Sequence, residues 1–275
     1  MIYNFIKTLL RLFLNFKEVF ILLYLNRYSK IEMDILKSFN KIKKSQDSEI
    51  INDFLIKVAE YPSEVRFEMI DYFIENFEKE IFDKIKINLA FLIGEITSFQ
   101  KIPEKYLTFL VEIYYQSDRW VRNEILKSIN KIIKNQQVNK NIIEILSISL
   151  KEEYLPIKKN ALDAIIKIKN PEFNIIKNLL ISLDIRDSEV LDKSKKILRS
   201  QIKNEKQLFE ILDNEELFKS INKKAFRTIL SFFFQSVINI EQFRKRIENS
   251  KWDYKYKQGF LKEIDTYQRI LLKNL

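Results

Sequence analysis

The chain has 275 residues, of which 46% are hydrophobic and 31% are charged, and its formal net charge is +10. Its two glycines and its lack of histidine and cysteine exclude glycine-rich phosphate loops, Ser-His and Cys-His nucleophiles, thiol redox chemistry and the usual zinc ligand sets. Two glycines and four prolines are also too few for the many tight turns of a sheet protein, so the composition predicts an all-α fold.

The positive charge is concentrated at the two ends of the sequence. Residues 1–45 carry a net charge of +6, residues 46–218 a net charge of −4, and residues 219–275 a net charge of +8. Because phosphate binding needs a basic surface, we expect any nucleic-acid contact near an end of the sequence and not in its middle.

The first predicted element, residues 1–28, is an apolar amphipathic helical segment. Its polar residues recur on one narrow helical face, and nearly all other residues up to Leu25 are apolar. The longest uncharged run is the eight residues Val19–Asn26, whereas a simple membrane-spanning helix needs about 20. Three roles stay open: a cap over the apolar face of the next helices, an interfacial helix whose basic face meets anionic lipid, and a membrane anchor.

Residues 29–275 contain a repeated pattern: a polar break, an apolar residue, often a basic residue, and an apolar or small residue four positions on. Its copies occupy 83–96, 118–133, 154–168 and, more weakly, 187–198, 219–230 and 253–264. The apolar residues that anchor the copies are separated by 36, 36, 33, 31 and 35 positions, which indicates internal repeats. These anchors are Ile85, Val121, Ile157, Val190, Ile221 and Tyr256.

Two further copies lie upstream, at 30–42 and 62–74. Their anchors, Ile31 and Val65, are 34 positions apart, but Val65 and Ile85 are separated by only 20. We therefore expect an extra or offset helix to interrupt the register between residues 60 and 100.

Each copy is predicted to be one helix of a helical pair. Ser63, Asp118 and Asp187 stand where an N-cap is needed, because their side-chain oxygens can accept the free amides of a first helical turn. The apolar residues that follow Val121 fall on one helical stripe, which we expect to be buried. That stripe contains Ile125, Ile129 and Ile132. A second amphipathic segment lies between successive copies, so each repeat is a pair of helices that the next pair must cover.

The copies resemble the HEAT-repeat family, in which the second helix of each pair opens with an Asp-x-x-Val-Arg type sequence. Asp118, Val121 and Arg122 match that opening, and residues 90–96 resemble the family's Ala-x-x-x-Gly-x-Ile ending. Over roughly residues 30–270, the resemblance implies a right-handed α-solenoid of about six to seven stacked helical hairpins, of HEAT or armadillo type. The periods are shorter than the roughly 40–47 residues of those repeats, so other helical solenoids and a compact bundle stay open.

Four basic residues occupy one repeat position and are expected to form a row along the helix stack. They are Arg66, Lys86, Arg122 and Lys158. The row is a candidate site for an acidic partner. The alternative is a ladder with neighbouring Asp residues such as Asp118, which would hold repeat to repeat.

Aromatic residues supply the other candidates. Trp120 precedes Val121 at a turn and is either an exposed anchor for a partner or part of the packing between repeats. Trp252 and Tyr254 alternate with lysines, and Arg244 and Arg246 extend the same basic region. Interleaved aromatic and basic residues suit stacking on bases and phosphate contacts, but they also suit the outer face of a last capping repeat.

The function predicted is a non-catalytic scaffold that binds a protein or peptide partner, with no cofactor, no metal and no small-molecule substrate. Nucleic-acid binding is the alternative. It includes a glycosylase of the DNA-alkylation-repeat type, whose Trp-Val-Arg opening resembles residues 120–122. That enzyme class relies on a catalytic Asp beside aromatic residues, and the acidic middle of this chain suits a DNA groove poorly. The location predicted is the cytoplasm, with attachment to an anionic membrane surface through residues 1–28 as a further possibility.

Overall fold

A computed structural model describes residues 30–62, 65 and 67–273 of the chain, which divides into two compact units. Unit 1 ends at Lys101 and unit 2 begins at Ile102. All regular elements in the described residues are helices and none is a strand, which confirms the all-α prediction. None of the described helices combines the length and the apolar character that crossing a membrane requires. The predictions for residues 1–28, for the Ser63 cap and for Arg66 lie outside the described residues.

Unit 1 contains four described helices: α1 (30–42), α2 (Ser48–Ala59), α3 (Phe67–Glu75) and α4 (Lys79–Ile96). Aromatic rings form its core, since Phe39 lies with its centroid 6.1 Å from that of Phe54 and 5.7 Å from that of Phe73. The Tyr72 hydroxyl donates to the Lys43 carbonyl at 2.8 Å and so ties α3 to the end of α1.

The register in unit 1 differs from the sequence-based assignment. Helix α2 packs along α4, and Asn88 Nδ2 donates to Asn52 Oδ1 at 2.8 Å across a separation of 36 residues. The partner of the copy at 83–96 is therefore α2, whereas the copies assigned at 30–42 and 62–74 are the alternate helices α1 and α3. The predicted interruption is wrong, because α3 and α4 are the two described helices between residues 60 and 100.

Unit 2 contains eleven described helices and a short 3-10 turn, Ser182–Asp184, after α9. The helices are α5 (Glu104–Tyr115), α6 (Arg119–Asn135), α7 (Lys140–Ser149), α8 (Leu155–Ile165), α9 (Phe173–Ile181), α10 (Ser188–Gln201), α11 (Glu205–Leu212), α12 (Glu215–Ser220), α13 (Lys223–Phe233), α14 (Val237–Glu248) and α15 (Tyr254–Lys273). Each helix from α5 to α8 packs against the second helix after it, so α5, α7 and α9 form one row and α6, α8 and α10 another. Further along, α11 packs on α14 and α13 on α15.

Side-chain caps explain where these helices begin. The Asp118 carboxylate accepts from the Trp120 and Val121 amides, and the Asp187 carboxylate accepts from the Val190 amide, which confirms both predicted caps. Asparagine caps α7, α11, α12 and α13 in the same way. The predicted anchor Ile221 lies just before the cap of α13, and Ala225 takes the third helical position that Val121 takes in α6.

The predicted stripe of α6 faces the core. Ile125, Ile129 and Ile132 are fully buried and Val121 is 6% exposed, as expected from their spacing. Burial of this stripe between neighbouring helices removes apolar surface from water and contributes most of the stabilisation that the helix receives.

A recurring amide contact joins segments about one repeat apart. Gln136 accepts from the Ile102 amide at 2.7 Å and donates to the Ile102 carbonyl at 3.1 Å. In unit 1, Gln100 donates to the Val65 carbonyl at 3.1 Å, across 35 residues. Gln136 follows the end of α6 and bonds to the backbone just before α5, and Gln100 follows the end of α4 and bonds to the backbone just before α3. These bonds satisfy backbone groups and fix how the two helices of each pair are aligned.

Candidate partner-binding surface

Two neighbouring turns of unit 2 expose a group of aromatic and apolar side chains around an arginine. This group, the aromatic edge, consists of Arg119, Trp120 and Tyr154, and the exposed Tyr115 and Leu155 lie at the ends of the same two turns. Trp120 is 55% exposed and Tyr115 54% exposed. The rings of Trp120 and Tyr154 meet edge to face with their centroids 5.7 Å apart. The Arg119 guanidinium lies over both rings, 5.1 Å from the centroid of Trp120 and 5.3 Å from that of Tyr154.

The start of α6 aims Trp120 away from the core. Asp118 Oδ1 accepts from the Trp120 amide at 2.9 Å and from the Val121 amide at 3.0 Å, which fixes the first helical turn. Since Val121 is buried, its neighbour Trp120 points about 100° away around the helix and emerges at the surface.

Two polar contacts hold the turn between α5 and α6 against the turn between α7 and α8. Arg122 Nη1 donates to Glu152 Oε1 in an ion pair whose side chains are 29% and 20% exposed. The Tyr114 hydroxyl lies 2.7 Å from Ser149 Oγ, which itself donates to the Ile145 carbonyl, so the tyrosine is the donor. Burial raises the pKa of Tyr114 and keeps that donor protonated.

The described residues of the predicted basic row differ in their partners. Lys86 pairs with Asp83 in its own helix at 2.7 Å, Arg122 pairs with Glu152, and Lys158 makes no ion pair with any described residue. Asp118 caps α6 and does not pair with Arg122. The arginine nevertheless joins one helical pair to the next, through Glu152.

Among the C-terminal candidates, Trp252 is not available for stacking on a ligand, which corrects that prediction. It is 5% exposed, its ring stacks on Phe218 at 4.8 Å and on Phe209 at 5.8 Å, and its Nε1 donates to Asp213 Oδ1 at 2.5 Å. Helices α11 and α12 supply these partners, so the indole is a core residue.

The remaining C-terminal candidates, Arg244, Arg246 and Tyr254, differ in charge pairing and in exposure. The Arg244 guanidinium is neutralised by Glu248, at 2.9 Å, and by Asp265. Arg246 is half-buried on the adjoining face of α14. Tyr254 is 76% exposed at the first position of α15.

Sequence reasoning found Trp120 but missed Arg119 and Tyr154. The repeat spacing contains the signal, because Tyr154 opens the copy that follows the one opened by Asp118. Residues at equivalent positions of successive repeats lie side by side, so Tyr154 lies beside the Asp118 position and its ring reaches Trp120 two residues further on.

In the part of the chain that the structure describes, no three His, Cys, Asp or Glu side chains form a group that could hold a metal ion. The ionisable pair beside the aromatic edge, Arg122 and Glu152, is mutually neutralised.

Neither a protein-family model nor a curated protein matches the chain. Two crystal structures of engineered proteins are similar to the chain. One is 17% identical, with a TM-score of 0.43 over 85% of this chain and 97% of that protein. The other is 14% identical, with a TM-score of 0.44 over 85% of this chain and 99% of that protein. Likenesses of this size support no conclusion about family or function.

Proposed function

We propose that the chain is a non-catalytic HEAT-like repeat protein that binds a protein or peptide partner through the aromatic edge. The observation that carries this proposal is the exposed Trp120–Arg119–Tyr154 cluster. Tryptophan, tyrosine and arginine are the residues most enriched among those that dominate the binding energy of protein interfaces, and here all three lie together at two neighbouring turns.

The packing of unit 2 supports the repeat architecture in the proposal. Alternate helices from α5 to α10 contact each other, and hydrogen bonds join residues 35 and 37 positions apart, as in Tyr114–Ser149 and Asn123–Asn160. Such contacts are expected of stacked helical hairpins, and a right-handed α-solenoid would bury each stripe against the next pair.

The local charge favours a protein partner over nucleic acid at this edge. Glu152 cancels the charge of Arg122, and burial together with the nearby Glu144 carboxylate raises the pKa of Tyr115. The Glu144 carboxylate near Tyr115 would repel phosphate, whereas the rings and the Arg119 guanidinium suit the mixed apolar and polar surface of a protein.

A capture experiment tests the proposal. The wild-type chain, Trp120→Ala and Tyr254→Ala are used to retain binding proteins from an extract of the source cells, and the bound proteins are quantified by mass spectrometry. Both substitutions remove an exposed aromatic residue of unit 2, so they are matched. We expect a specific protein to be lost with Trp120→Ala and kept with Tyr254→Ala. Equal retention by all three chains would contradict the proposal.

A further inference from the structure

A polar groove lies beside the contact between α11 and α14 in unit 2, away from the aromatic edge in sequence. Its volume is about 840 Å³, which is within the range of ligand-binding clefts. On α14 the lining residues Gln242, Lys245, Arg246 and Asn249 follow the i, i+3, i+4, i+7 spacing of one helical face. Lys251 adds a third cation from the segment after the helix.

The three cations of this groove are not paired internally. Lys245, Arg246 and Lys251 form no ion pair with any described residue, in contrast to Arg244 on the next face of α14. Asp213 is the acidic residue of the lining, and its carboxylate is bonded to Trp252 Nε1. The groove therefore presents an excess of two positive charges to solvent.

The C-terminal end of α14, which carries the negative end of the helix dipole, is neutralised by a lysine. Helix carbonyls at a C-terminus would oppose a bound anion, but Lys257 Nζ donates to the Glu248 carbonyl at 3.1 Å and to the Ser250 carbonyl at 2.7 Å. This fourth cation neutralises the helix end beside the groove.

A half-buried aromatic ring completes the lining. Phe209 stacks one face on Trp252 with an interplanar angle of 10°, and Trp252 stacks in turn on Phe218. The Trp252–Asp213 hydrogen bond holds this column in place, so the exposed part of Phe209 is a fixed apolar platform inside a basic groove.

We infer that this groove binds single-stranded nucleic acid, with phosphates on Lys245, Arg246 and Lys251 and a base on Phe209. Backbone-tracking cations beside an aromatic platform are the means by which proteins hold single strands without reading their sequence. An acidic peptide is disfavoured, because the lining offers no apolar pocket beyond Phe209 in which a peptide anchor could be buried. The site is independent of the proposed protein-binding edge.

Fluorescence anisotropy of a labelled twelve-nucleotide oligothymidylate with the full chain tests the inference. Three phosphate contacts to a single strand predict an affinity that falls about 20-fold between 50 and 200 mM salt. The triple variant Lys245→Gln, Arg246→Gln, Lys251→Gln should weaken binding by more than about tenfold and flatten that salt dependence. Loss of one stacked base in Phe209→Leu should weaken binding about 5- to 150-fold.

A control variant that loses the same charge outside the groove distinguishes binding in the groove from general attraction between the basic chain and the oligonucleotide. Lys223, Lys255 and Lys262 are exposed lysines of unit 2 outside the groove, and their triple replacement by Gln should leave most of the affinity. Trp120→Ala should also leave it unchanged, because that residue belongs to the other surface. Melting temperatures of all variants show whether they fold. If Phe209→Leu does not fold, the comparison of the two triple variants decides the outcome.

Several results would overturn the inference. These are no binding at 50 mM salt, equal weakening by both triple variants, equal affinity for a duplex of the same length, and displacement of the oligonucleotide by an equally charged polyglutamate at similar concentrations.

Discussion

At the scale of single residues, charge pairs connect successive helical pairs. Glu189 at the start of α10 accepts from Lys159 Nζ of α8 at 2.6 Å and from Lys193 Nζ at 2.9 Å. Lys193 also reaches Asp163 of α8 at 2.6 Å. The hydrogen bond from Lys159, followed by that from Lys193, lowers the pKa of Glu189 to about 2. These groups lie at the surface, so their net contribution to stability is small and falls as salt is added.

The pKa of Glu189 is a measurable consequence of this network. We expect carboxyl NMR to give a value near 2 for the wild-type chain, and a value closer to the ordinary 4.5 in Lys159→Gln. Because the folded pKa is lower than the unfolded one, the network stabilises the fold above about pH 4.5, and this contribution is lost as the pH falls towards 2. Lys158→Gln, on the adjacent residue, should leave the pKa unchanged. A wild-type value near 4.5 would show that the lysines do not hold Glu189.

The buried stripe of α6 gives a second prediction at this scale. Ile129 is fully buried, so Ile129→Ala should lower the free energy of unfolding by about 2–5 kcal/mol, as measured by urea denaturation. Lys134→Ala, on the exposed side of the same helix, should change it by less than about 0.5 kcal/mol. Similar small effects of both substitutions would place Ile129 outside the core.

At the scale of helices, the start of α6 determines where Trp120 emerges. Removing the Asp118 cap in Asp118→Ala should cost about 0.5–2 kcal/mol of unfolding free energy, because two first-turn amides lose their acceptor. Asp118→Asn keeps a side-chain oxygen at the same place and should restore most of that loss. If Asn were as damaging as Ala, the contribution of Asp118 would come from its charge and not from the cap.

The helices show which parts of the fold can be predicted from the sequence and which cannot. Composition predicted the all-α fold, and the Asp118 and Asp187 caps and the α6 stripe follow from local spacing. The assignment of 30–42 and 62–74 was wrong because both helices of a pair share the same 3.6-residue periodicity. Only a contact such as Asn52–Asn88 distinguishes first from second helices.

The candidate sites were predictable only where the local sequence decides exposure. Trp120 stands one position after the start of a capped helix, so its outward direction follows from the burial of Val121. Trp252 stands in an equally aromatic and basic stretch, but Phe209 and Phe218 cover it from 43 and 34 residues earlier in the chain. No local pattern around Trp252 contains that contact.

At the scale of the whole molecule, the role of residues 1–28 is open to direct test. A shortened chain that begins at Ser29 is compared with the full chain for folding, by circular dichroism, and for binding to vesicles of phosphatidylserine and phosphatidylcholine. If the segment is a membrane element, only the full chain should bind the anionic vesicles, because a basic amphipathic helix adds apolar burial and charge attraction. If it is a cap, the shortened chain should lose stability. Equal vesicle binding by both chains would remove the membrane role.

Site-directed photocrosslinking can show whether a partner binds at the aromatic edge. A benzophenone amino acid is placed at Trp120 in one chain and at Tyr254 in another, and both chains are irradiated in an extract of the source cells. We expect a discrete crosslinked protein from position 120 that is absent from position 254, because crosslinking reports only groups within contact distance. Adducts from position 254 alone, or from neither position, would show that the aromatic edge is not the partner-binding surface.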